Sequence, residues 1–525
     1  MRRWRRLQRL HPASESAMLA GQLVLRRLLA MASACLLGGV AVAFAKSASG
    51  EAPTYAVADR IFEEFYLDAH IPGLVYGIVV DGQLSHVKAF GVQDIESRRP
   101  VTPDSLFRIA SMTKAFTALT ALKLRDDGKL RLDALAEYYV PQLRGWKYPT
   151  DDSPKIRVRD LLNHAAGFVT DDPWGDRQTP LPEEAFTQLL RQGVPFTRAP
   201  GIAYEYSNLG YALVGRTITN VSKQSYEQAI TRTLLRPLAM ASSGFDAEAA
   251  SPARRALGYR WEDNHWRLEP TLGPGAFGAM GGLQTSANDY AKWVAFLLAA
   301  WPPRDGDDSG AVKRATVREL AQGSNFPRIR VRPGRNGAAA CRQSVAYGMG
   351  MQHAIDCELG FTLSHSGGYP GYGSHVLFLP DRGIGIFAFA NRTYAGPSSA
   401  VWDAAMALDK IGLLGGERAV AVSGALANAY RAAGAIYATG SVTAEPDLLA
   451  MNFLLDRDAE GWARDLATLK AQVGECDVSQ SLTATGALTG TFTWACGHGR
   501  VKGALELSPT QPPRIQQLTL TAVTL

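Results

Sequence analysis

The amino-acid sequence predicts an α+β protein, an α/β sandwich in which an antiparallel sheet is flanked by helices and carries an inserted helical lobe. Two apolar runs near the start, residues 74–80 and 84–90, have the pattern of strands joined by an Asp-Gly hairpin turn. Strand patterns return at 374–379 and 384–390, after a long block of helical periodicity with loops rich in proline and glycine. This order indicates one sheet built from both ends of the domain, with the helical block inserted between them.

A second, smaller region follows Gly415-Gly416. Residues 419–433 and 446–472 are mainly helical, and 478–525 alternates in the manner of about four antiparallel strands. We therefore expect a main domain over 52–415 and a small α+β domain over 416–525. A binding role for the small domain and a purely stabilising one are both open.

The N-terminus accounts for the net charge of the chain. Residues 1–45 hold seven arginines and one glutamate, which equals the whole net charge of +6, so the remainder is neutral. Arg26-Arg27 precede an uncharged run that ends in the A-x-A pattern Ala43-Phe-Ala45, typical of a secretory signal peptide. We expect export to the periplasm or the medium, with membrane attachment if the segment is not cleaved. A neutral body gives no reason to expect nucleic acid as a partner.

The cysteines agree with export. Four remain once the predicted signal peptide is removed, in two local pairs, Cys341 with Cys357 and Cys476 with Cys496. In an oxidising compartment these pairs are expected to be disulfides. Neither has the C-x-x-C or histidine spacing of a zinc site, so we expect no metal, and nothing indicates an organic cofactor.

The candidate nucleophile is Ser111, which stands three residues before Lys114. The apolar periodicity that follows predicts a helix, and on its first turns the two side chains share one face. A serine hydroxyl needs an adjacent base, and a desolvated lysine can serve. The pattern alone is weak, because a solvated lysine at a helix start would look the same. A second such pair, Ser85 and Lys88, falls on a predicted strand, where the side chains point to opposite faces.

Two further motifs carry polar groups. Tyr206-Ser207-Asn208 precedes a helix, and a phenol beside Lys114 would have its anionic form favoured and could act as a general base. Asn208 could hydrogen-bond both Lys114 and a substrate amide. The alternative is an ordinary loop tyrosine with a helix-capping asparagine.

The third motif is His365-Ser366-Gly367-Gly368, directly after a short strand predicted at 361–364. Glycines let a substrate approach the backbone, and an exposed strand N–H suits an oxyanion hole. His365 would offer a donor to a substrate carboxylate or carbonyl. The alternative is a glycine-rich turn after a strand.

The three motifs in this order resemble the serine β-lactamase-like superfamily, in the branch of class C β-lactamases, D-specific peptidases and related esterases. The resemblance covers about residues 52–410. Supporting stretches are Phe90-Gly91, Leu161-Leu162-Asn-His164 with Gly167, Pro200-Gly201, Gly281-Gly282-Leu283 and Tyr347-Gly-Met-Gly350. The resemblance implies that Ser111 is acylated and that Lys114 and Tyr206 share general-base work. It also implies that Asn208 orients substrate and that the N–H groups of Ser111 and Gly368 bind the oxyanion.

The chain departs from the family at His365, where β-lactamases and many D,D-peptidases have lysine. A neutral histidine holds a substrate carboxylate less well. We therefore expect an exported serine hydrolase that uses an acyl-enzyme on a small-molecule or peptide substrate: an ester, an amide or a D-amino-acid peptide. A class C-like β-lactamase is one alternative. A non-catalytic cell-wall or β-lactam-binding protein is the other.

Overall fold

The computed structural model describes residues 54–325, 328–333 and 339–523, so the predicted signal peptide lies outside the described residues. The strands are β1 (Gly73–Val80), β2 (Gln83–Asp94), β3 (Arg99–Pro100), β4 (Phe107–Arg108), β5 (Tyr259–Glu262), β6 (His265–Leu268), β7 (Gln284–Thr285), β8 (Arg328–Arg332), β9 (Cys341–Tyr347), β10 (Gln352–Asp356), β11 (Gly360–Tyr369), β12 (Tyr372–Leu379), β13 (Ile384–Ala390), β14 (Thr483–Ala484), β15 (Thr489–Cys496), β16 (Gly499–Leu507) and β17 (Ile515–Val523).

The helices are α1 (Ala56–Asp68), α2 (Thr113–Asp126), α3 (Ala136–Tyr139), α4 (Val158–Leu162), α5 (Asp172–Arg177), α6 (Glu183–Gln192), α7 (Asn208–Ser222), α8 (Tyr226–Ile230), α9 (Gly278–Gly281), α10 (Ala287–Leu298), α11 (Arg314–Glu319), α12 (Ser398–Lys410), α13 (Gly424–Thr439) and α14 (Ala459–Val473). A 3₁₀ turn, Ala110–Met112, leads into α2. Within the described residues, no helix is both long and apolar enough to span a membrane.

The main sheet joins the early and late strands in the order β3-β2-β1-β13-β12-β11-β10-β9-β8, with antiparallel pairing throughout. Strand β13 is buried along its whole length because helices cover both faces of the sheet. Phe387 and Phe389 pack toward α2 and α10, whereas Ile386 and Ala388 pack toward α1 and α12. The predicted antiparallel sheet between helical layers is confirmed.

Four strands of this sheet, β3, β8, β9 and β10, were not predicted, and β8 lies within 302–340, which we interpreted as a loop region with one helix. In β9 the side chains do alternate between buried and exposed, but Gln343 occupies one of the buried positions. Its amide donates to Asp356 at 2.6 Å and accepts from Arg330 at 2.8 Å. A polar residue on the buried face interrupts the apolar alternation on which the prediction relied.

Residues past 416 build a separate hydrophobic cluster, in which α13 and α14 pack on a four-stranded antiparallel sheet of order β14-β15-β16-β17. Trp494 is fully buried at its centre. Both expected disulfides are confirmed: Cys341–Cys357 has an S–S distance of 2.07 Å and Cys476–Cys496 one of 1.97 Å. The first joins β9 to the residue after β10, and the second links the chain after α14 to the end of β15.

Candidate active site

Ser111 lies at the centre of the 3₁₀ turn that precedes α2, and only 8% of its surface is exposed. The residue before it, Ala110, has φ of 48°, in the left-handed region that residues other than glycine seldom adopt. Strain of this kind persists where surrounding packing imposes it. Here Ile109 and Ala110 pack against β11 and β12. The nucleophile turn is therefore held in shape by the main sheet.

Lys114 is completely buried one residue into α2. Its ammonium nitrogen donates to Ser111 Oγ at 3.0 Å, to Asn208 Oδ1 at 2.8 Å and to the carbonyl of Met280 at 2.9 Å. Burial lowers the pKa of Lys114 to about 8, although Asp172 and other nearby carboxylates act in the opposite direction. Lys114 therefore loses its proton more readily than an exposed lysine, and its neutral form can accept the serine proton.

Tyr206 borders the same group, with its ring centre 4.9 Å from Lys114 Nζ. We expected its anionic form to be favoured, and this is wrong for the structure as it stands. Burial of the phenol and the charge of Asp172 hold the pKa of Tyr206 well above its ordinary value, and the hydrogen bond to Ser111 offsets only part of this. Tyr206 is therefore a neutral phenol beside the serine, and Lys114 is the stronger candidate for the base.

Asn208 is fully buried at the first position of α7. The helix cap is Ser207, whose hydroxyl accepts from the N–H of Gly210 at 3.2 Å, so Asn208 is free for other contacts. Its Oδ1 accepts from Lys114, as expected. Its Nδ2 donates to Asp172 at 3.1 Å rather than pointing toward open space.

His365 is buried, with 5% of its surface exposed, and both ring nitrogens have partners within the protein. Nδ1 lies 2.6 Å from the carbonyl of Ser366, which can only accept, so this nitrogen carries the proton. Nε2 then accepts from the hydroxyl of Tyr347 at 3.0 Å. Burial lowers the pKa of His365 to about 3, which keeps the ring neutral. Our expectation that His365 donates to a substrate is therefore corrected, because no donor is left over.

Gly367 and Gly368 lie inside β11, not in a turn after a strand, because that strand continues to Tyr369. A side chain at Gly367 would collide with the carbonyl of Ile109 and with Ser374 Oγ. The absence of a side chain lets the nucleophile turn rest directly on the sheet. The sequence prediction ended this strand at residue 364 rather than at Tyr369, because serine and glycine are typical turn residues.

The register between β11 and β12 fixes the side of β11 to which the backbone N–H of Gly368 points. Tyr369 and Tyr372 flank the two-residue hairpin turn and form a hydrogen-bonded pair, so the next pair, Gly368 with Gly373, is not hydrogen-bonded. The N–H of Gly368 consequently points away from β12. Strand β10 pairs with β11 only as far as Ser364, so among the described strands none pairs with Gly368 on that side. Next to it, the Ser366 side chain is exposed and interacts with His375 Nδ1 at 2.8 Å.

Several residues of the site escaped the sequence prediction. Asp171, Asp172 and Asp176 lie in a loop and a one-turn helix without any periodic pattern, yet all three carboxylates act on Lys114. Burial raises the pKa of Asp176 to about 7, and this carboxylate accepts from the hydroxyl of Tyr394 at 3.1 Å. The sequence feature that could have indicated these residues is that three aspartates lie within six positions.

His164 is a further residue whose position was not predicted. It has φ of 60°, and its Nδ1 accepts from the N–H of Ser207 at 3.2 Å. Its ring lies 4.3 Å from that of Tyr206. His164 therefore supports the loop that carries the second motif.

Among the described residues, one group has the geometry to hold a metal ion, formed by Cys341, Asp356 and Cys357. Its two sulfurs are joined in the disulfide. The carboxylate of Asp356 is ion-paired with Arg332 at 3.0 Å and accepts from Gln343. We therefore describe this group as a structural cluster of the sheet edge.

Comparisons with known proteins agree with this fold. The family model for beta-lactamase matches residues 58–410, and the chain belongs to this family. Members of the family are generally serine hydrolases, which fits a buried lysine beside a serine at a strained turn.

Among characterised sequences, the chain is 29% identical over 342 residues to Protein flp of Staphylococcus aureus (strain COL), a match that covers 63% of this chain and 62% of that protein. It is 29% identical over 254 residues to Beta-lactamase-like protein 2 of Dictyostelium discoideum, covering 46% and 45% respectively. The chain thus spans less than two thirds of the length of these relatives.

Two solved structures share the fold. A class C beta-lactamase superposes with a TM-score of 0.54 at 20% identity, covering 67% of this chain and 96% of that one. The octameric penicillin-binding protein homologue from Pyrococcus abyssi superposes with a TM-score of 0.55 at 21% identity, covering 90% and 99%. At these identities the likeness shows the fold alone.

Proposed function

We propose that the chain is an exported serine hydrolase that works through an acyl-enzyme on an ester, an amide or a D-amino-acid peptide. The observation that carries the proposal is the hydrogen bond of 3.0 Å between the buried Lys114 and Ser111. The two disulfides support export, because such bonds persist in oxidising compartments.

The proposed acylation step begins with neutral Lys114, which takes the proton of Ser111 as the serine oxygen attacks the substrate carbonyl. The new C–O bond converts the carbonyl into an oxyanion, which the N–H groups of Ser111 and Gly368 stabilise. The leaving group departs with a proton that Lys114 returns through the neutral phenol of Tyr206. This balances the proton taken from the serine and leaves the acyl group on Ser111.

Deacylation follows the same path with water as the nucleophile. A water molecule gives a proton to Lys114 and attacks the acyl carbon, and the proton then returns to Ser111 as the bond to the serine oxygen breaks. Free carboxylic acid and the starting enzyme result. No step needs a metal or an organic cofactor, since every proton has a donor and an acceptor among Ser111, Lys114 and Tyr206.

The neutral His365 favours esters, amides and peptides over β-lactams. With its Nε2 accepting from Tyr347, the side chain has neither positive charge nor a free donor for the carboxylate of a β-lactam. The neighbouring hydroxyl of Ser366 is exposed and is the motif side chain that a substrate can reach. Substrates without an obligatory carboxylate at this place fit the site better.

The first test compares the native chain with Ser111→Ala in hydrolysis of p-nitrophenyl acetate, D-alanine p-nitroanilide and a penicillin. Loss of the serine should lower turnover of the ester or the amide at least about 1,000-fold. Ser85→Ala is the matched control, because Ser85 belongs to the other S-x-x-K pair and lies exposed in β2. Folded Ser111→Ala protein with native activity would refute the proposal.

Two measurements after brief exposure to the penicillin separate the alternatives: the intact-protein mass and the amount of drug that remains. Rapid loss of the drug that depends on Ser111 would indicate a class C-like β-lactamase. A stable adduct without turnover of any substrate would indicate a non-catalytic β-lactam-binding protein.

A further inference from the structure

Two consecutive carboxylates, Asp171 and Asp172, hold Asn208 from both sides. Asp171 accepts the backbone N–H of Asn208 at 2.7 Å and that of Leu209 at 2.9 Å, so it clamps the first turn of α7. Asp172 accepts the side-chain Nδ2–H of Asn208 at 3.1 Å. The opposite atom of the same amide, Oδ1, accepts from Lys114 at 2.8 Å.

The orientation of this amide decides what Lys114 meets. A rotated amide would turn its NH₂ group toward the ammonium group of Lys114 and its oxygen toward the carboxylate of Asp172. Both new contacts would be repulsive, because an ammonium has no acceptor and an ionised carboxylate has no donor. Since Asn208 is fully buried, water cannot easily replace the lost partners.

We propose that Asp172 is a positioning residue, which selects the amide orientation of Asn208 and thereby holds the Lys114 amine against Ser111. This inference rests on the proposed function for its kinetic consequence, but its geometric content concerns the contacts of Asp172, Asn208 and Lys114 alone. No hydrogen bond joins Asp172 to the serine, so its positioning effect on the reaction passes through Asn208.

Asp172 also acts on Lys114 by charge, and the two effects have to be separated. Lys114 is faced by three carboxylates of one segment, by two histidines whose pKa values are lowered, and by two tyrosines whose pKa values are raised: Asp171, Asp172, Asp176, His164, His365, Tyr206 and Tyr211. The carboxylates favour the ammonium form. Removing one of them should lower the pKa of Lys114 and move the acid limb of the pH profile to lower pH.

The test compares three variants in hydrolysis of p-nitrophenyl acetate. Asp172→Ala removes both the charge and the hydrogen-bond acceptor. It should lower kcat, measured at the high-pH plateau of the pH profile (the plateau kcat), about 100-fold, with a smaller change in KM. Asp172→Asn removes the charge but keeps an oxygen acceptor for Asn208. It should keep kcat within about threefold of the native value, while its acid limb moves to lower pH. Asp176→Asn is the charge-matched comparison, because Asp176 acts on Lys114 without contacting Asn208.

Native plateau kcat in Asp172→Ala would overturn the inference. So would equal losses in Asp172→Asn and Asp172→Ala, because the acceptor would then be irrelevant. A crystal structure of Asp172→Ala tests the position of Lys114 relative to Ser111 without relying on turnover. Lys114 Nζ should then lie beyond hydrogen-bond reach of Ser111 Oγ, more than about 3.5 Å away. If the native chain shows no Ser111-dependent turnover, the proposed function fails, while an unchanged distance of 3.0 Å in this variant refutes the positioning role.

Discussion

Lys114 combines complete burial with three hydrogen bonds, so its charge state controls whether Ser111 can be activated. Burial lowers its pKa to about 8, and only the neutral amine accepts the serine proton. We therefore expect kcat/KM for a neutral ester to be low in acid, to rise with pH through this value and to level off above it. The measurement is a pH profile of kcat/KM with p-nitrophenyl acetate, corrected for spontaneous hydrolysis. A profile that is flat between about pH 6 and pH 9 would contradict the assignment of Lys114 as the base.

At the residue scale, the sequence predicted the reacting groups better than it predicted their surroundings. Ser111 and Lys114 lie three residues apart on one chain segment, so local periodicity was enough to place them together. The contacts of Asn208 with Asp172, and of His365 with Tyr347, join distant segments. The donor role expected for His365 failed because its N–H is donated to the adjacent carbonyl of Ser366, while its other nitrogen accepts from Tyr347.

At the element scale, β11 is the surface on which the nucleophile turn rests, and Gly367 is the contact point. A methyl group there would meet the carbonyl of Ile109, to which Ser374 Oγ already donates at 2.8 Å. Gly367→Ala should push the turn off the strand, lower kcat/KM about 100-fold and cost roughly 1–3 kcal/mol of unfolding free energy. Ester hydrolysis and urea unfolding provide the two measurements. Gly416→Ala, with open space around it, should change neither; native activity in Gly367→Ala would show that the contact is unimportant.

The strands that the sequence predicted are those with an apolar pattern on at least one covered face. β1, β12 and β13 lie at the centre of the sheet, each contains a buried apolar run, and their boundaries agree with the prediction to within two residues. The strands beyond β11 were missed because their buried positions include polar groups such as Gln343 and Asp356, which satisfy one another. Such pairing depends on which strands become neighbours, and no local pattern contains that information.

At the scale of the whole molecule, the hydrophobic residues divide into clusters that follow the chain. Two clusters cover the opposite faces of the main sheet and draw on both its early and its late strands. A third draws only on residues from 420 to 522. The main sheet needs segments more than 300 residues apart, since Leu74 pairs with Ala390, whereas the C-terminal sheet is assembled from consecutive strands. We therefore propose that the two parts unfold as separate cooperative units.

The disulfide Cys476–Cys496 offers a way to test this independence, because it lies wholly within the third cluster and closes a loop of 20 residues. Removing it in the double variant Cys476→Ala/Cys496→Ala should lower the unfolding free energy of the C-terminal unit by about 2–4 kcal/mol. Ester hydrolysis and the unfolding of the main sheet should stay unchanged, since none of the proposed catalytic groups lies in that unit. Urea unfolding followed by far-UV circular dichroism, together with residual activity at each urea concentration, resolves the two transitions. If activity is instead lost in parallel with the weakened transition, the C-terminal unit supports the active site and the main sheet does not stand alone.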